Sequence, residues 1–207
     1  GPFGSAHSCG SKPQKSAGGQ AGNHHQRQVR ERNRGRGRGR EVFGSVEGKD
    51  VRGVVMNIVV FKGDMQSQVD HFFERCFSEV GIPYSPNDRH ADVANVEQAY
   101  MKNGCFWCLV NNGKVIGTVA IRVLDSDKQI VELKRMFVLP EYQGNGYGRL
   151  LLEHALKNAR EQKYNKICLD TRKQFSVAQH LYRSVGFQES ERYNDNEHAE
   201  AFFELVL

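Results

Sequence analysis

Three glycines within five residues, Gly144, Gly146 and Gly148, separate two segments of different periodicity. Residues 129–138 are predicted as a strand that stops before Pro140, whereas residues 148–163 carry apolar side chains three and four positions apart, as an amphipathic helix does. The chain is therefore predicted to pack helices against a sheet, with a flexible loop where a strand passes into a helix.

The loop at residues 143–148 predicts a binding site for an anion. Glycines let the backbone approach a ligand closely, and the first amides of a helix have no intrahelical partner and lie at the positive end of its dipole. Arg149 adds a positive charge, so a diphosphate is the expected ligand. The spacing differs from G-x-G-x-x-G, because position 149 is arginine, and no P-loop string G-x-x-x-x-G-K-[ST] occurs.

Apolar periodicity along the chain predicts the element order β-α-α-β-β-β-α-β-α-β. Strands are predicted at 54–61, 105–110, 115–124, 129–138, 166–170 and 202–206, and helices at 69–80, 92–103, 148–163 and 175–185. Asp64 is expected to cap the first helix, and Asn112-Gly113 to form the turn of a β-hairpin. The fold class is α+β, with a central mixed, mostly antiparallel sheet flanked by about four helices.

Residues 1–53 are expected to form a disordered basic leader that is partly vector-derived, and residues 54–207 one folded domain. Residues 1–55 contain eleven Lys or Arg and four Asp or Glu, which leaves 18 basic and 20 acidic residues for the rest. The net charge of +5 therefore resides in the leader, and the domain has no electrostatic reason to bind nucleic acid. No apolar run is long enough to span a membrane, so we expect a soluble, cytoplasmic protein.

The five cysteines do not indicate a disulfide framework, as is typical of a reducing compartment. Cys105 and Cys108 have the spacing of half a zinc site, but both fall in a predicted strand. Residues three apart on a strand face opposite sides, so we expect buried structural thiols and no metal site.

The residues around the loop resemble the GNAT superfamily of N-acetyltransferases. Gln143-x-x-Gly146-x-Gly148 is similar to the [RQ]-x-x-G-x-[GA] motif with which that family holds the pyrophosphate of acetyl-CoA. Val138-x-Pro140 before the loop, and the segment L-Y-x-x-x-G-F at 181–187, resemble further family patterns. The resemblance spans residues 56–207 in the order of elements, and it implies a sheet in which the strand before the loop splays from its neighbour.

The resemblance implies acetyl-CoA as the co-substrate, with no metal. Backbone groups at 136–138 would bind the pantetheine arm and polarise the thioester carbonyl, and the loop would bind the pyrophosphate. Many members carry an asparagine that contacts CoA where this chain has Phe175, and the neighbouring Ser176 is expected to take over part of that contact. The implied contacts are Met136, Phe137, Val138, Gln143, Gly144, Asn145, Gly146, Tyr147, Gly148, Arg149 and Ser176. The amine attacks the thioester directly in this family, so neither Cys108 nor Cys168 is needed as a nucleophile.

Tyr182 and Glu132 are the candidate catalytic residues. Tyr182 matches a tyrosine that commonly protonates the departing CoA thiolate in the family; the alternative is a packed aromatic side chain. A base is also needed, because an amine with a pKa near 10 is about three units from its nucleophilic form at neutral pH. Glu132 stands eleven residues before the loop, where some members place a catalytic glutamate.

Strict alternation along the strand would place Glu132 on the same face as Met136 and Val138. Two alternatives remain at this stage. One is that Glu132 is a surface carboxylate in a salt bridge with Lys134 or Arg135. The other is a chain of waters, which many family members use as the base.

The acceptor is expected to be a primary amine, of a small molecule such as an aminoglycoside or polyamine or of a protein. Residues 81–91 and 191–200 are the expected acceptor loops, and the second carries four acids that favour a cationic acceptor: Glu191, Asp195, Glu197 and Glu200. The resemblance is compatible with a homodimer. Two other functions are considered: a CoA-binding regulatory protein without catalysis, and an RNA-associated protein that acts through RGRGRGR at 34–40.

Overall fold

The computed structural model describes residues 46–49 and 55–207, with side chains from residue 56 onward. Within that part of the chain, eight strands form one sheet in the order β1-β2-β3-β4-β5-β6-β8-β7. The strands are β1 Val46–Lys49, β2 Val55–Val60, β3 Gly104–Asn111, β4 Lys114–Asp125, β5 Ile130–Val138, β6 Lys166–Thr171, β7 Gln188–Glu189 and β8 Ala201–Val206. All neighbours are antiparallel except β5 and β6, which confirms the predicted mixed α+β sheet.

Helices pack on this sheet with the apolar faces that the sequence predicted. They are α1 Gln66–Glu79, α2 Ala91–Ala94, α3 Val96–Tyr100, α4 Tyr147–Glu161 and α5 Ser176–Ser184. The predicted face of α1 is buried from Val69 to Phe77, and that of α4 from Leu151 to Ala159. No helix in the described ranges is long and apolar enough to cross a membrane.

The predicted helix at 92–103 is divided into α2 and α3 by Asn95. The backbone of Asn95 leaves the helical region, with φ of −144°, and its side chain accepts a hydrogen bond from the Gln98 amide at 3.2 Å. An asparagine that caps a new helix competes with continuation of the preceding one, which is why the helical pattern alone did not locate the break.

The predicted N-cap at Asp64 was wrong. Asp64 lies inside a 3₁₀ turn, Gly63–Met65, and α1 begins one residue beyond that turn, at Gln66. Met65 occupies the cap position and makes no side-chain capping bond. The extra turn satisfies the first amides of the segment through the backbone, since the amide of Met65 donates to the carbonyl of Lys62 at 2.8 Å.

Two short strands were not predicted. β1 lies within the predicted leader and pairs with β2, with Val46 opposite Ile58. β7 has only two residues and pairs with β8. Edge pairing uses backbone groups and needs no apolar periodicity, so sequence patterns do not reveal such strands. The rest of the predicted leader, 1–45 and 50–53, lies outside the described residues.

The predicted hairpin turn is confirmed at Asn112 and Gly113. Their φ values are 48° and 76°, and they connect β3 to β4, which pair from Gly104 opposite Arg122 to Asn111 opposite Lys114. Both turn residues need a left-handed backbone, which asparagine and glycine adopt at low cost.

The feature of the sheet that creates the site is the divergence of β5 from β6. These strands pair only at their beginnings, through Ile130, Val131 and Glu132, although β5 continues to Val138 and β6 to Thr171. Among the described strands, none pairs with the edge of β5 from 133 to 138 on the β6 side. The splayed strand pair that the resemblance implied is present.

Candidate active site

A cavity of about 980 Å³ opens where β5 and β6 diverge. Its walls come from the second half of β5, the glycine loop and the start of α4, the end of β6 with α5, and the segment before α2. The first two of these walls place the glycine loop beside the unpaired edge of β5. The cavity thus joins the predicted anion site to a row of backbone groups that are available to a ligand.

The glycine loop has the geometry that an anion site requires. Gly144 and Gly146 have φ values of 76° and 83°, a left-handed conformation that strains any residue with a Cβ. A Cβ added at either glycine would meet no atom within 4 Å, so the space in front of both is open. Gly148 differs, because its Cβ would touch Leu181 at 3.5 Å in ordinary packing.

Four backbone amides of this loop have no hydrogen-bond acceptor in the part of the chain that the structure describes. No acceptor for the backbone amides of Gly144, Asn145, Gly146 or Gly148 occurs within residues 56–207. These amides surround the N-terminus of α4, a helix of 15 residues, where the helix dipole adds a partial positive charge. The arrangement meets the requirements of a diphosphate site; that a CoA ester occupies it stays a prediction.

The predicted cofactor contacts are brought together around this cavity. All of them line it except Asn145, whose side chain donates to the carbonyls of Tyr142 and Gln143 and so shapes the loop from behind. Gln143 also has a structural contact, since its side-chain Nε2 donates a hydrogen bond to the Val138 carbonyl at 2.9 Å. Arg149 donates to the Ser184 hydroxyl at 2.8 Å, which ties the start of α4 to α5.

Tyr182 lies on α5 at the wall of the cavity and is only 6% exposed. Its ring packs near Phe187 and Phe203, with centroids 5.9 and 6.1 Å away. Burial, together with the charge of Asp170, raises the pKa of the Tyr182 phenol. The phenol therefore stays protonated and able to donate a proton or a hydrogen bond into the cavity.

A bulge in β5 overturns the predicted position of Glu132. Ala120 of β4 faces Lys134, and Thr118 faces Phe137, so that β5 contains an extra residue between these pairs. Arg135 is in the bulge, with φ of 52°. The extra residue reverses the alternation, so Glu132 shares its face with Lys134 and Phe137 and not with Met136 and Val138. No period-two count reveals such a bulge.

The carboxylate of Glu132 is completely buried and fully occupied. It accepts hydrogen bonds from Arg122 Nε at 2.8 Å, Tyr193 Oη at 3.0 Å and Asn194 Nδ2 at 3.1 Å, and Lys134 Nζ lies at 3.4 Å. It does not line the cavity. Of the alternatives open for Glu132, the salt-bridged carboxylate matches this geometry, but in the interior instead of at the surface and with Arg122 as its closest partner.

The loop 81–91, predicted as an acceptor loop, contributes Ile82, Asp88, Arg89 and His90 to the cavity wall, but the ion pair of Arg135 with Asp92 beside it was not singled out by the sequence. Arg135 forms a bidentate ion pair with Asp92 of α2, whose carboxylate also accepts a hydrogen bond from Tyr100. Burial opposes ionisation of Asp92, but the charge and hydrogen bonds of Arg135 outweigh it and hold the pKa of Asp92 below its usual value. The signal was weak, because an Asp and an Arg 43 residues apart share no local pattern.

His90 is a second residue that the sequence did not indicate. It is 2% exposed, stacks on Phe77 with centroids 4.1 Å apart, and accepts a hydrogen bond at Nδ1 from the Ser85 amide at 3.0 Å. Burial and the charges of Arg135 and Arg89 lower the pKa of His90 to about 4. The imidazole is therefore neutral, with its proton on Nε2, at the wall of the cavity.

The acids predicted to favour a cationic acceptor lie outside the cavity. From the segment 191–200 the lining residues are Asn196, His198 and Ala199, and none of the four acids is among them. Glu200 accepts a hydrogen bond from the Lys173 amide at 3.0 Å instead. The whole cavity lining contains six Lys or Arg residues and four Asp or Glu residues. The electrostatic reason for a cationic acceptor is therefore lost.

The cysteines lie where the strand pattern placed them. Cys105 and Cys108 are buried in β3, three residues apart and hence on opposite faces. Burial raises the pKa of Cys108 to about 12, so that it is a thiol at neutral pH. Burial also raises the pKa of Cys168. Neither has the lowered pKa of a nucleophilic cysteine.

A profile of the Acetyltransferase (GNAT) family matches residues 67–187, which is more than half of the chain. The chain belongs to the GNAT acetyltransferase family. The matched segment runs from α1 through the glycine loop to the end of L-Y-x-x-x-G-F, so it contains both of the motifs that carried the resemblance.

Curated relatives include an N-acetylaspartate synthetase from Xenopus tropicalis, 40% identical over 99 residues. That match covers 47% of this chain and 36% of the relative, so this GNAT chain spans about a third of the relative's length. Among solved structures, a GNAT acetyltransferase from Staphylococcus aureus has a TM-score of 0.67 at 25% identity, covering 73% of this chain and 98% of its own. The PaiA N-acetyltransferase from Thermoplasma acidophilum, solved with coenzyme A, shares the fold at 17% identity and TM-score 0.55, covering 73% of this chain and 99% of its own.

Proposed function

We propose that this GNAT chain transfers the acetyl group of acetyl-CoA to a primary amine by direct attack. The observation that carries the proposal is the set of backbone amides of Gly144, Asn145, Gly146 and Gly148, which have no acceptor within residues 56–207 and lie beside the unpaired edge of β5. Diphosphate binding at the loop would place the pantetheine arm along residues 136–138 of that edge. Backbone donors fixed there before the substrate arrives stabilise the developing oxyanion without reorganisation.

Tyr182 is proposed as the general acid. Its phenol lies on the wall of the cavity and stays protonated, so it is positioned to protonate the departing thiolate. For the base, the buried and saturated carboxylate of Glu132 favours the other alternative, a chain of waters. Such a chain would take the proton from the amine and deliver it to solvent through the open cavity.

The acceptor is proposed to be an amino acid with carboxylate groups, such as aspartate. The excess of basic over acidic residues in the cavity lining favours an anionic molecule, and Arg89 and Arg172 line it without an ion pair among the described residues. The relative that is named an N-acetylaspartate synthetase points to the same class. Because the alignment covers only part of that relative, its substrate is a proposal for this chain.

Two measurements test the function. Isothermal titration of acetyl-CoA into the full chain should give binding at micromolar concentrations, and a thiol-release assay with a panel of amines should give turnover. Binding without thiol release for any amine would replace the enzyme with a CoA-binding regulatory protein. Absence of binding would remove the pyrophosphate site and the proposal with it.

A further inference from the structure

Arg122 and Glu132 face each other across β4 and β5 and differ sharply in exposure. They are directly opposite in register, and Arg122 Nε donates to Glu132 Oε2 at 2.8 Å. The side chain of Glu132 is 0% exposed, whereas that of Arg122 is 43% exposed and lines the cavity. One edge of the guanidinium is therefore held by a buried carboxylate while the other edge faces the space where the acceptor must lie.

The carboxylate that binds Arg122 is itself fixed, because other residues donate hydrogen bonds to its second oxygen. Tyr193 and Asn194, which belong to the segment before β8, both donate to Oε1 of Glu132. Oε2 remains for Arg122. A buried charge with satisfied hydrogen bonds has little freedom to move, so the guanidinium plane is oriented before any ligand binds.

Arg122 also differs from the other cations of this wall. Lys134 is enclosed by Glu132 at 3.4 Å and Asp170 at 3.7 Å, and Arg135 is engaged by both oxygens of Asp92. Within residues 56–207, Arg122 uses only Nε in a hydrogen bond, which leaves both Nη groups as donors. A planar pair of N–H donors matches the two oxygens of a carboxylate.

We infer that Arg122 binds a carboxylate of the acceptor amino acid and so selects anionic acceptors, and that Glu132 is the positioning residue that orients Arg122. This inference rests on the proposed acetyltransferase function. It gives the glutamate of the sequence motif a role in acceptor recognition, in place of proton transfer.

The test uses the full chain with three acceptors. Aspartate has two carboxylates, asparagine lacks the side-chain carboxylate and isoasparagine lacks the α-carboxylate. The wild-type protein should prefer aspartate to at least one of the amides. Arg122→Gln should raise the KM for aspartate about 10- to 100-fold, the usual loss of a charge-assisted hydrogen bond, and abolish that preference. The affinity for acetyl-CoA should not change.

Two further variants separate positioning from folding. Glu132→Gln should raise the KM for aspartate more than the KM for the disfavoured amide, with the affinity for acetyl-CoA unchanged. Arg122→Lys should recover only part of the preference, because ammonium lacks the fork geometry. Arg75→Gln is the matched control, since Arg75 pairs with Glu141 at 3.0 Å on the surface and does not line the cavity. It should leave all three KM values unchanged.

Calorimetric titration of aspartate into the CoA-loaded protein distinguishes this inference from the proposed function. Binding that Arg122→Gln abolishes, without turnover, would retain the carboxylate site and remove the enzyme. Two kinetic results would overturn the role of Arg122. In one, Arg122→Gln keeps the wild-type differences in KM among the three acceptors; in the other, the wild-type protein shows no such differences. If aspartate is neither bound nor acetylated, the role of Arg122 is overturned as well.

Discussion

Arg135 and Asp92 form a bidentate ion pair that joins the bulge of β5 to helix α2. Arg135 Nε lies 2.8 Å from Asp92 Oδ2, and Arg135 Nη2 lies 2.6 Å from Oδ1. The same guanidinium donates to the carbonyl of Arg89 at 3.3 Å. The residue that interrupts the strand thus also connects β5 to the loop before α2, so that these two walls of the cavity are held together.

Removing Asp92 should therefore destabilise the protein strongly. Asp92→Ala leaves Arg135 buried without its partner, and we expect the free energy of unfolding at pH 7 to fall by about 3–5 kcal/mol. The double variant Asp92→Ala/Arg135→Met should recover much of this loss, because no uncompensated charge remains. Urea denaturation measures both. A double variant that is less stable than the single one would contradict the explanation.

The contribution of Asp92 should also depend on pH. Its pKa is lowered in the folded protein, so its stabilisation is complete above the ordinary pKa of about 3.9 and is lost as the pH falls through the folded value. The difference in unfolding free energy between wild type and Asp92→Ala should narrow below about pH 4. A difference that is constant from pH 7 to pH 3 would exclude an ionic origin.

Tyr182→Phe should reduce turnover far more than acetyl-CoA affinity. The variant removes only the hydroxyl and preserves the packing against Phe187 and Phe203. Loss of a general acid typically costs about 10²- to 10⁴-fold in kcat. Steady-state kinetics and calorimetry measure the two quantities, and Tyr142→Phe, outside the cavity lining, is the control. Unchanged kcat in Tyr182→Phe would leave this residue a packed aromatic side chain only.

Gly146→Ala should weaken acetyl-CoA binding, with Gly113→Ala as its matched control. Both glycines have a left-handed backbone and open space around an added Cβ, so each substitution should cost about 1–2 kcal/mol of stability. Only Gly146 lies at the cavity, where the new methyl group and the strained backbone should disturb the loop that is proposed to hold the ligand. Equal acetyl-CoA affinity in the two variants would show that these amides do not hold the ligand.

His90 should make the protein lose stability in mild acid. Its folded pKa of about 4 lies below the ordinary 6.5, so its stabilisation is complete above pH 6.5 and declines as the pH falls toward 4. At pH 5 the loss should be about 2 kcal/mol relative to pH 8. His90→Gln should remove that part of the slope, and His71→Gln on the exposed side of α1 should not. A wild-type slope retained in His90→Gln would contradict the assignment.

Much of the geometry of the proposed pyrophosphate site could be read from the sequence because its determinants are local. Left-handed glycines, the amides at a helix N-terminus and the dipole behind them all arise within residues 144–149, and their geometry does not depend on distant partners. The apolar faces of α1 and α4 were predictable for the same reason, since a period of 3.6 residues states which side of a helix is buried. The open space in front of Gly146 agrees with that local interpretation.

The chemical role of Glu132 was decided by the tertiary structure alone. Alternation along β5 gave it the wrong face, because the bulge at Arg135 depends on pairing with β4 and has no signature in the sequence of one strand. Its partners Tyr193 and Asn194 come from a segment about 60 residues away. Sequence determines what a short segment of backbone can present to a ligand; whether a carboxylate is a free base or a buried anchor depends on which distant donors the fold brings to it.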